Sequence, residues 1–292
     1  MRVLEEKNRV IINGVKDFEP KHIFECGQCF RWEVEEDGSY TGVAFGKVIN
    51  VKKEEDILVL DNTNLGEYES IWREYFDMDR DYSKLKNSLR NIDEHMEASV
   101  DFGHGIRILE QEPWEMLISF IISARNRIPM IKKCIKNISR AYGKSLGIYR
   151  GKEWFAFPTP SELSKASVEE LATLSTGYRN KYIYETTKKV IEENIDVSAI
   201  INMTTEEGRE KLLEFQGVGP KVADCILLFG MKKKEVFPVD VWVKRVMEEL
   251  YLKEEVKNLK LINQAGIEKF KEDAGFAQQY LFYYARENGI GK

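Results

Sequence analysis

The stretch from Leu212 to Val243 constrains the fold of this chain most, because two glycines separate two apolar helical segments within it. Gly217-Val218-Gly219 follows an amphipathic run, and a turn this tight favours residues without a Cβ penalty. Pro220 then stands at the start of a second helix, where a missing N–H does no harm. The spacing predicts helix, turn and helix, with free backbone N–H groups directed at one point. Such a turn suits a phosphate oxygen, bound directly or through a bridging monovalent or divalent cation, without sequence preference.

Two side chains near this turn could carry chemistry. Lys221 falls in the first turn of the second helix, where the helix dipole and burial are expected to lower the pKa of its amine and make it a nucleophile. Asp240 precedes another helical run, which predicts an N-cap carboxylate that stays ionised. Together they suit attack at a sugar C1′, where positive charge develops as a base departs. The alternatives are a lysine that only binds phosphate and an aspartate that only caps a helix.

The charge is unevenly distributed along the chain. The formal net charge is −5, which by itself argues against a nucleic-acid partner. Residues 1–100 contain 14 Lys and Arg against 22 Asp and Glu, whereas residues 101–292 contain 30 against 27. The part with the glycine turn is therefore mildly basic, which permits DNA binding. Neither a membrane span nor the layout of a secretion signal is present in the sequence, so we expect an intracellular protein without membrane contact.

Cys26 and Cys29 have the spacing of a redox pair or of half a zinc site. A zinc site would need a second close pair, yet Cys134 and Cys225 stand far apart in the sequence. A redox pair would be expected to open a helix, whereas residues 30–34 continue as a predicted strand. We therefore expect neither a metal nor a cofactor.

The predicted elements divide the chain into two parts. Residues 1–62 predict an antiparallel meander, with strands at 10–12, 22–24, 30–34, 40–44, 47–51 and 57–60. Residues 64–91 predict a helix whose aromatic stripe serves packing. Helices then follow at 112–122, 128–142, 161–174 (two short ones), 178–194, 204–215, 239–251 and 266–287, with an irregular connection at 143–159. We predict an α+β fold with an antiparallel-sheet domain over residues 1–104 and an all-α domain over residues 105–292.

Two motifs resemble those of known DNA repair enzymes. The turn at about 208–230, continued to Pro238-Val239-Asp240, resembles the helix-hairpin-helix and Gly/Pro/Asp signature of the base-excision DNA glycosylase superfamily. The sequence Gly-Gln-Cys-Phe-Arg-Trp at 27–32 resembles a motif of the 8-oxoguanine DNA glycosylase and AP lyase family. The resemblance covers nearly the whole chain and implies that the sheet domain is similar to TATA-binding protein. No cysteine cluster follows Leu250, which argues against the iron–sulfur members of the superfamily.

The resemblance implies an activity and a base pocket. The activity is excision of 8-oxoguanine from duplex DNA through a Schiff base on Lys221, with Asp240 stabilising charge on the sugar, followed by β-elimination. In the pocket, the Gly27 carbonyl would accept a hydrogen bond from the N7–H that oxidised guanine has and guanine lacks. Cys225 and Phe282 would lie on the two faces of the flipped base, and Gln278 would bind its Watson–Crick edge. From the residues alone, Gly27 could simply form a turn, and Cys225 and Phe282 could be core residues.

The DNA-facing residues include one matched motif and two departures. Gly177-Tyr178-Arg179 resembles the family motif whose aromatic ring wedges into the base stack. Met130 occupies the place of an arginine that reads the opposite cytosine in animal members, which predicts relaxed opposite-base discrimination. Trp242 replaces a histidine, which puts a phosphate contact in doubt. The predicted DNA-binding set is Arg125 and Asn126, either of which could fill the vacated stack, with Met130, Tyr178, Arg179, Gly217, Gly219 and Trp242.

Two alternative functions stay open on the sequence. A glycosylase of the same fold that acts on alkylated or other oxidised bases would keep Asp240, but an alkylation enzyme would need neither Lys221 nor the Gly27 motif. A non-catalytic DNA-binding module would use the turn as a clamp, for which arginine or leucine at position 221 would be more favourable. We predict a monomer whose partner is double-stranded DNA containing 8-oxoguanine, located with the nucleoid if the cell is prokaryotic.

Overall fold

The computed structural model of the protein describes residues 2–290. Met1, Gly291 and Lys292, which the predicted domain spans include, lie outside the described residues. A six-stranded antiparallel sheet is followed by a helical part, which confirms the predicted α+β fold. The strands are β1 Arg2–Glu6, β2 Arg9–Asn13, β3 Trp32–Val34, β4 Tyr40–Ala44, β5 Lys47–Glu54 and β6 Ile57–Asp61.

The sheet is not a simple meander, because its strand order is β1-β2-β6-β5-β4-β3. Strands β3 to β6 do follow one another, but β2 pairs with β6 in the register Ile11 to Val59. The chain crosses between β2 and β3 through helix α1 (Pro20–Phe24), which corrects the predicted strand at 22–24. Pro20 takes the first helical position, and the Phe24 ring stacks on Trp32 with the ring centres 3.8 Å apart.

The helix predicted over 64–91 is broken into pieces. Helix α2 (Leu65–Glu67), a π-helical turn (Tyr68–Trp72) and helix α3 (Arg73–Tyr75) run on continuously, and Asp77, with φ of 48°, ends this segment. Helices α4 (Tyr82–Arg90) and α5 (Glu94–Phe102) follow. Tyr68, Trp72 and Tyr75 are buried in the core beneath the sheet, as the predicted packing role requires.

The second part is helical apart from one hairpin. Its helices are α6 Pro113–Ser123, α7 Ile128–Tyr142, α8 Pro160–Leu163, α9 Val168–Thr173, α10 Asn180–Glu192, α11 Thr205–Leu213, α12 Pro220–Gly230, α13 Val241–Val246, α14 Leu259–Phe270 and α15 Ala274–Asn288. Short 3-10 turns lie at Gly177–Arg179, Val197–Asn202 and Lys271–Asp273, and a π turn at Met247–Leu252 extends α13. Within residues 2–290, no helix has the length and apolar character needed to cross a membrane.

Two predictions for this part are corrected. Residues 143–159 contain the hairpin β7 (Ser145–Tyr149) and β8 (Lys152–Phe155) instead of an irregular connection. Its loop, Arg150-Gly151, has φ of 48° and 73°, the two positive values of a type I′ hairpin turn. The helix predicted over 266–287 is two helices, because Lys271, with φ of 52°, interrupts it between α14 and α15.

Each part has its own core, and the boundary between the cores does not follow chain order. The sheet packs on α1 and on the segment from α2 to α3. Helices α4 and α5 instead contribute Leu85, Met96 and Val100 to the helical core. Arg31, just before β3, joins the two parts through a buried ion pair with Glu115 of α6, in which Nη1 and Oε2 are 3.2 Å apart.

Candidate active site

The glycine turn between α11 and α12 depends on one glycine more than on the other. Gly217 has φ of 84°, and a β-carbon there would stand 2.8 Å from Cδ2 of Tyr182. Gly219 has φ of −99°, which any residue can adopt, and open space faces its missing β-carbon. The prediction that the whole turn needs small residues for its backbone therefore holds only at Gly217. No side chain caps α12 at Gly219, which leaves its first N–H groups available to a ligand.

Asp240 caps α13, as the sequence predicts. Its Oδ1 accepts hydrogen bonds from the backbone N–H groups of Trp242 and Val243, both at 2.9 Å. Because one oxygen takes both bonds, Oδ2 stays available to stabilise positive charge nearby. Burial raises the pKa of the carboxyl, against the opposing effects of the two N–H groups and Lys221.

The structure corrects the expected pKa of Lys221. Burial acts to lower this pKa, but the Cys225 sulfur and the Asp240 carboxylate outweigh it, so the pKa lies above the ordinary value. The expectation of a neutral amine counted the helix dipole and burial and omitted these two neighbours. Burial raises the pKa of Cys225 to about 11, so its thiol is protonated at neutral pH. No ion pair joins Lys221 to Asp240 within the described residues, although both line the same cavity.

One cavity brings together the catalytic and base-binding residues that the sequence singles out. It has a volume of about 50 Å³ and is lined by Gly27, Lys221, Cys225, Asp240, Gln278 and Phe282, together with Phe120, Phe229, Pro238 and Gln279. The last four residues were missed by the sequence reasoning, although Pro238 belongs to the motif and Gln279 adjoins Gln278. The two phenylalanines carry no polar signal that distinguishes them from core residues. Lys221 Nζ lies 5.7 Å from the centre of the Phe120 ring.

The loop around Gly27 leaves that residue's carbonyl unused. The carbonyl of Glu25 accepts from Arg286, that of Cys26 from Gln279 at 2.7 Å, and that of Gln28 from Gln111 at 2.8 Å. Within residues 2–290 no group donates to the carbonyl of Gly27. Gly27 also has φ of 85°, so its backbone role and a binding role are compatible. The loop is thus held on both sides of Gly27, a residue that lines the cavity and whose carbonyl is unused.

Gln278 and Phe282 lie on successive turns of α15. Gln278 is 5% exposed, and its Oε1 is buried without a hydrogen-bond partner among the described residues. An unpaired buried amide oxygen is unfavourable unless a ligand completes its hydrogen bonds. The Phe282 ring packs directly on Gly27, with Cε1 3.1 Å from the point where a β-carbon on Gly27 would stand. Cys225 faces the same cavity from α12.

Tyr178 and Arg179 occupy different environments although they are adjacent. Tyr178 is 55% exposed, and its ring meets that of Tyr182 edge-on with the centres 5.9 Å apart. Arg179 is 7% exposed, and its guanidinium donates to the backbone carbonyls of Ala124 and Arg125. The predicted contact of Arg179 with DNA stays a prediction, but in this structure its guanidinium holds the loop after α6.

That loop and the start of α7 present the remaining predicted residues. Arg125 is exposed and has φ of 50°, whereas Asn126 uses its side chain within the loop, donating to the Ile122 carbonyl at 3.1 Å. Met130 is 42% exposed in the first turn of α7. The Trp242 ring lies 5.4 Å from the Arg245 guanidinium. Arg125 is therefore the freer of the two candidates to fill a vacated stack.

The cysteines are buried thiols. Cys26 and Cys29 donate weak hydrogen bonds to the carbonyls of Ile23 and Phe24, and burial raises the pKa of Cys26 to about 11. Among the residues described, no group of His, Cys, Asp and Glu is arranged to hold a metal ion. The four cysteines form no disulfide with one another.

Comparison with known proteins finds a matching family for each part of the chain. Residues 10–117 match the N-terminal domain of 8-oxoguanine DNA glycosylase, and residues 118–272 match the HhH-GPD superfamily of base excision DNA repair proteins. The chain is 33% identical to a probable N-glycosylase/DNA lyase of Methanothermobacter thermautotrophicus over 74% of this chain and 72% of that protein. It is 32% identical to the N-glycosylase/DNA lyase of Saccharomyces cerevisiae over 79% and 67% of the two chains.

The fold agrees with that of a solved relative. The 8-oxoguanine glycosylase/lyase of Clostridium acetobutylicum, in complex with double-stranded DNA containing cytosine opposite 8-oxoguanine, superposes with a TM-score of 0.96 at 49% identity over 99% of both chains. A 3-methyladenine DNA glycosylase of Archaeoglobus fulgidus shares the fold, with a TM-score of 0.77 at 22% identity. On these matches and on its two-part architecture, the chain belongs to the 8-oxoguanine DNA glycosylase family within the HhH-GPD superfamily.

Proposed function

We propose that this protein is a bifunctional repair enzyme that excises 8-oxoguanine from duplex DNA and nicks the strand. The observation that supports this most directly is the single cavity lined by Lys221, Asp240 and Gly27, whose carbonyl is unused. An amine nucleophile, a carboxylate and an acceptor for N7–H are the three groups that the reaction needs in one place. We also propose that the enzyme acts inside the cell, where its DNA substrate is.

Binding begins at the DNA backbone. The uncapped N-terminus of α12 and the turn at Gly217 hold a phosphate, directly or through a cation. The exposed Tyr178 ring then enters the base stack, and Arg125 occupies the space left by the lesion nucleotide. The nucleotide turns out of the helix because its glycosidic bond cannot be reached inside the duplex.

Recognition follows in the base pocket. The Gly27 carbonyl accepts a hydrogen bond from N7–H, and guanine, which has no hydrogen at N7, leaves that carbonyl unpaired. Gln278 pairs its free Oε1 with a donor on the Watson–Crick edge. Cys225 and Phe282 cover the two faces of the base. Recognition of the lesion therefore depends on completing hydrogen bonds that the described residues do not make with one another.

Chemistry requires that Lys221 first lose a proton, because its raised pKa keeps the amine protonated at neutral pH. The amine nitrogen then bonds to C1′ while the bond from C1′ to N9 breaks, and the base takes the bonding electron pair. Asp240 stabilises the positive charge on the sugar as this happens. Opening of the sugar ring gives the Schiff base, loss of a C2′ proton follows, and the 3′ C–O bond to phosphate breaks.

A trapping experiment tests the proposal. The protein is incubated with a duplex containing one 8-oxoguanine, and borohydride is added to reduce a Schiff base to a stable adduct. We expect a covalent complex with wild type and none with Lys221→Gln, which keeps a polar side chain of similar length but no nucleophile. Equal trapping by the two proteins, or none by wild type, would contradict the lyase mechanism. A duplex with an alkylated purine is the substrate control and is expected to give no adduct.

The same assay tests the role of Met130. Single-turnover excision is measured with each of the four bases opposite the lesion. Because the thioether of the exposed Met130 cannot form bidentate hydrogen bonds to a base, we expect similar rates for all four. Met130→Arg is expected to favour cytosine by about tenfold, since one well-placed base contact is worth about 1–3 kcal/mol. A strong cytosine preference in wild type would contradict this prediction.

A further inference from the structure

The Phe282 ring occupies part of the proposed base pocket. The cavity of about 50 Å³ has room for a few water molecules and is too small for a purine. The Phe282 ring occupies the space against Gly27, with Cε1 3.1 Å from the position of an absent β-carbon there. Entry of a base between Phe282 and Cys225 therefore requires the Phe282 ring to move away from Gly27.

A cation with an unused donor lies next to that ring and to Gly27. The guanidinium of Arg286, one helical turn after Phe282, is 5.4 Å from the centre of the Phe282 ring. Its Nη2 donates to the Glu25 carbonyl at 2.6 Å, and its Nε donates to the Glu287 carboxylate at 2.9 Å. Its Nη1 is buried, has no partner among the described residues, and lies 3.5 Å from the same β-carbon position at Gly27. A buried charged donor without an acceptor is unfavourable, so a ligand atom is expected to complete it.

The order of residues along α15 indicates which ligand atom this is. Gln278, Phe282 and Arg286 are spaced four residues apart, so they share one face of the helix. From Gln278 to Arg286 this face spans about 12 Å along the helix axis. If Gln278 binds the Watson–Crick edge and Phe282 covers the ring, Arg286 reaches the opposite, imidazole edge. On that edge, the oxygen at C8 is adjacent to the N7–H that Gly27 accepts.

We propose that Arg286 is a specificity-determining residue whose Nη1 donates a hydrogen bond to the C8 oxygen of the flipped 8-oxoguanine. This inference rests on the function proposed above and adds a second recognised atom to N7–H. Guanine carries C8–H at this position, so it would leave the guanidinium donor buried and unpaired. Gly27 and Arg286 thus read two adjacent atoms that oxidation changes together.

The test compares two lesions that differ only at the atom on C8. Duplexes carry 8-oxoguanine or 8-thioguanine opposite cytosine; both bases retain N7–H, but sulfur is the weaker acceptor. Wild type is expected to excise 8-oxoguanine about tenfold faster than 8-thioguanine, because the sulfur analogue loses a charge-assisted hydrogen bond. Arg286→Gln is expected to slow excision of 8-oxoguanine about tenfold and to change excision of 8-thioguanine less than about threefold. An unchanged ratio in Arg286→Gln, or no preference in wild type, would overturn the assignment.

Two further variants separate recognition from structure. Arg286→Gln also loses the contact with the Glu25 carbonyl, but a loosened Gly27 loop would slow both substrates equally and leave the ratio unchanged. A ratio that falls only because 8-thioguanine is excised faster would indicate relief of crowding and would also overturn the proposal. Arg286→Lys, which keeps the charge, is expected to retain part of the preference. Glu287→Gln removes only the exposed ion-pair partner and is expected to keep the wild-type ratio.

The outcomes also distinguish this proposal from the one it rests on. If wild type excises neither lesion and forms no borohydride adduct, the proposed function fails. If wild type excises and traps 8-oxoguanine but the ratio does not depend on Arg286, only the C8 contact fails.

Discussion

At the scale of single residues, the site depends on a lysine whose charge is set by its neighbours. The helix dipole and burial both favour the neutral amine at Lys221, but Cys225 and Asp240 shift the pKa upward. At neutral pH Lys221 is therefore an ammonium in the same cavity as the Asp240 carboxyl, and the proposed nucleophile forms only when a proton leaves.

The raised pKa of Lys221 predicts the pH dependence of excision. Below that pKa the fraction of free amine grows tenfold for each pH unit, so the single-turnover rate is expected to rise with unit slope from neutral to alkaline pH. At acid pH the rate is expected to fall more steeply with decreasing pH. The raised pKa of Asp240 means that this carboxylate becomes protonated, and loses its charge, within the pH range of the measurement. The measurement is the rate of base release in a series of buffers at constant ionic strength.

Asp240→Asn provides the control for this pH profile. It removes a charge that raises the pKa of Lys221, so its profile is expected to shift toward lower pH while its maximal rate decreases. A wild-type rate that is already constant below neutral pH would show that Lys221 is a free amine when DNA is bound. That outcome would contradict a raised pKa in the complex.

The sequence predicted which residues line the cavity better than it predicted their pKa values and hydrogen bonds. Six cavity residues could be named in advance, because the motifs at 27–32, 217–240 and 275–282 resemble those of a family. The sequence could not predict the raised pKa of Lys221 or the unused donor of Arg286, because both depend on groups that only folding brings together. Glu25 and Arg286, for example, are joined by a hydrogen bond across 261 positions of the chain.

At the scale of elements, prolines begin helices α1, α6 and α12, but the sequence pattern predicted a helix at only two of these three positions. Pro113 and Pro220 begin α6 and α12 as predicted. Pro20 begins α1 in the same way, but the apolar residues after it suggested a strand. The hairpin of β7 and β8 was missed because Arg150 is an unusual residue at positive φ, and the fold stabilises it through Trp154, which packs on Val43 and Val48.

The two glycines of the turn before α12 are predicted to respond differently to substitution. Gly217→Ala forces a β-carbon into the Tyr182 ring at positive φ, so we expect a loss of roughly 1–3 kcal/mol in the free energy of unfolding. Gly219→Ala meets open space at an ordinary φ, so its stability is expected to match wild type. Denaturant unfolding of both variants measures the difference.

DNA affinity is expected to give a different pattern from stability. A β-carbon at Gly219 fills the open face where a phosphate approaches the helix N-terminus, so Gly219→Ala should weaken DNA binding while remaining as stable as wild type. Titration of a fluorescent duplex measures this. If Gly219→Ala loses as much stability as Gly217→Ala, or binds DNA as wild type does, the assigned role of the turn is wrong.

At the scale of the whole molecule, the sheet and the helical part are joined by a buried charge pair. Arg31 lies between the two parts, bonded to Glu115 of α6 and to the Phe155 carbonyl of the hairpin. Burial raises the pKa of Glu115 to about 7, although Arg31 opposes the shift. The folded state therefore favours the protonated carboxyl more than the unfolded chain does, at the junction of the two parts.

This junction predicts a pH-dependent stability difference. The pKa of Glu115 is raised from 4.5 to about 7 on folding, so its contribution to stability is complete below pH 4.5 and is lost as pH rises to 7. Glu115→Gln mimics the protonated form and should equal wild type near pH 4 but exceed it above pH 7 by about 3 kcal/mol. Denaturant unfolding of both proteins across this range is the measurement.

Glu33→Gln is expected to change stability with pH in the opposite direction and serves as the control. Burial would raise the pKa of Glu33, but Lys136 and Lys152 outweigh it and lower that pKa. Its contribution to stability is therefore present above the unfolded pKa and lost as pH falls. Glu33→Gln is expected to lose stability relative to wild type at neutral pH and to match it in acid. A Glu115→Gln curve parallel to wild type would exclude a raised pKa at the junction.

The relaxed opposite-base discrimination predicted from the exposed Met130 at the start of α7 would have a consequence for inheritance. An enzyme that does not test the partner base also removes 8-oxoguanine that replication has already placed across from adenine. The polymerase that fills the gap then copies adenine, inserts thymine and makes the change from G·C to T·A permanent. If the protein excises 8-oxoguanine opposite all four bases, as predicted, its repair prevents this mutation only before the replication fork passes.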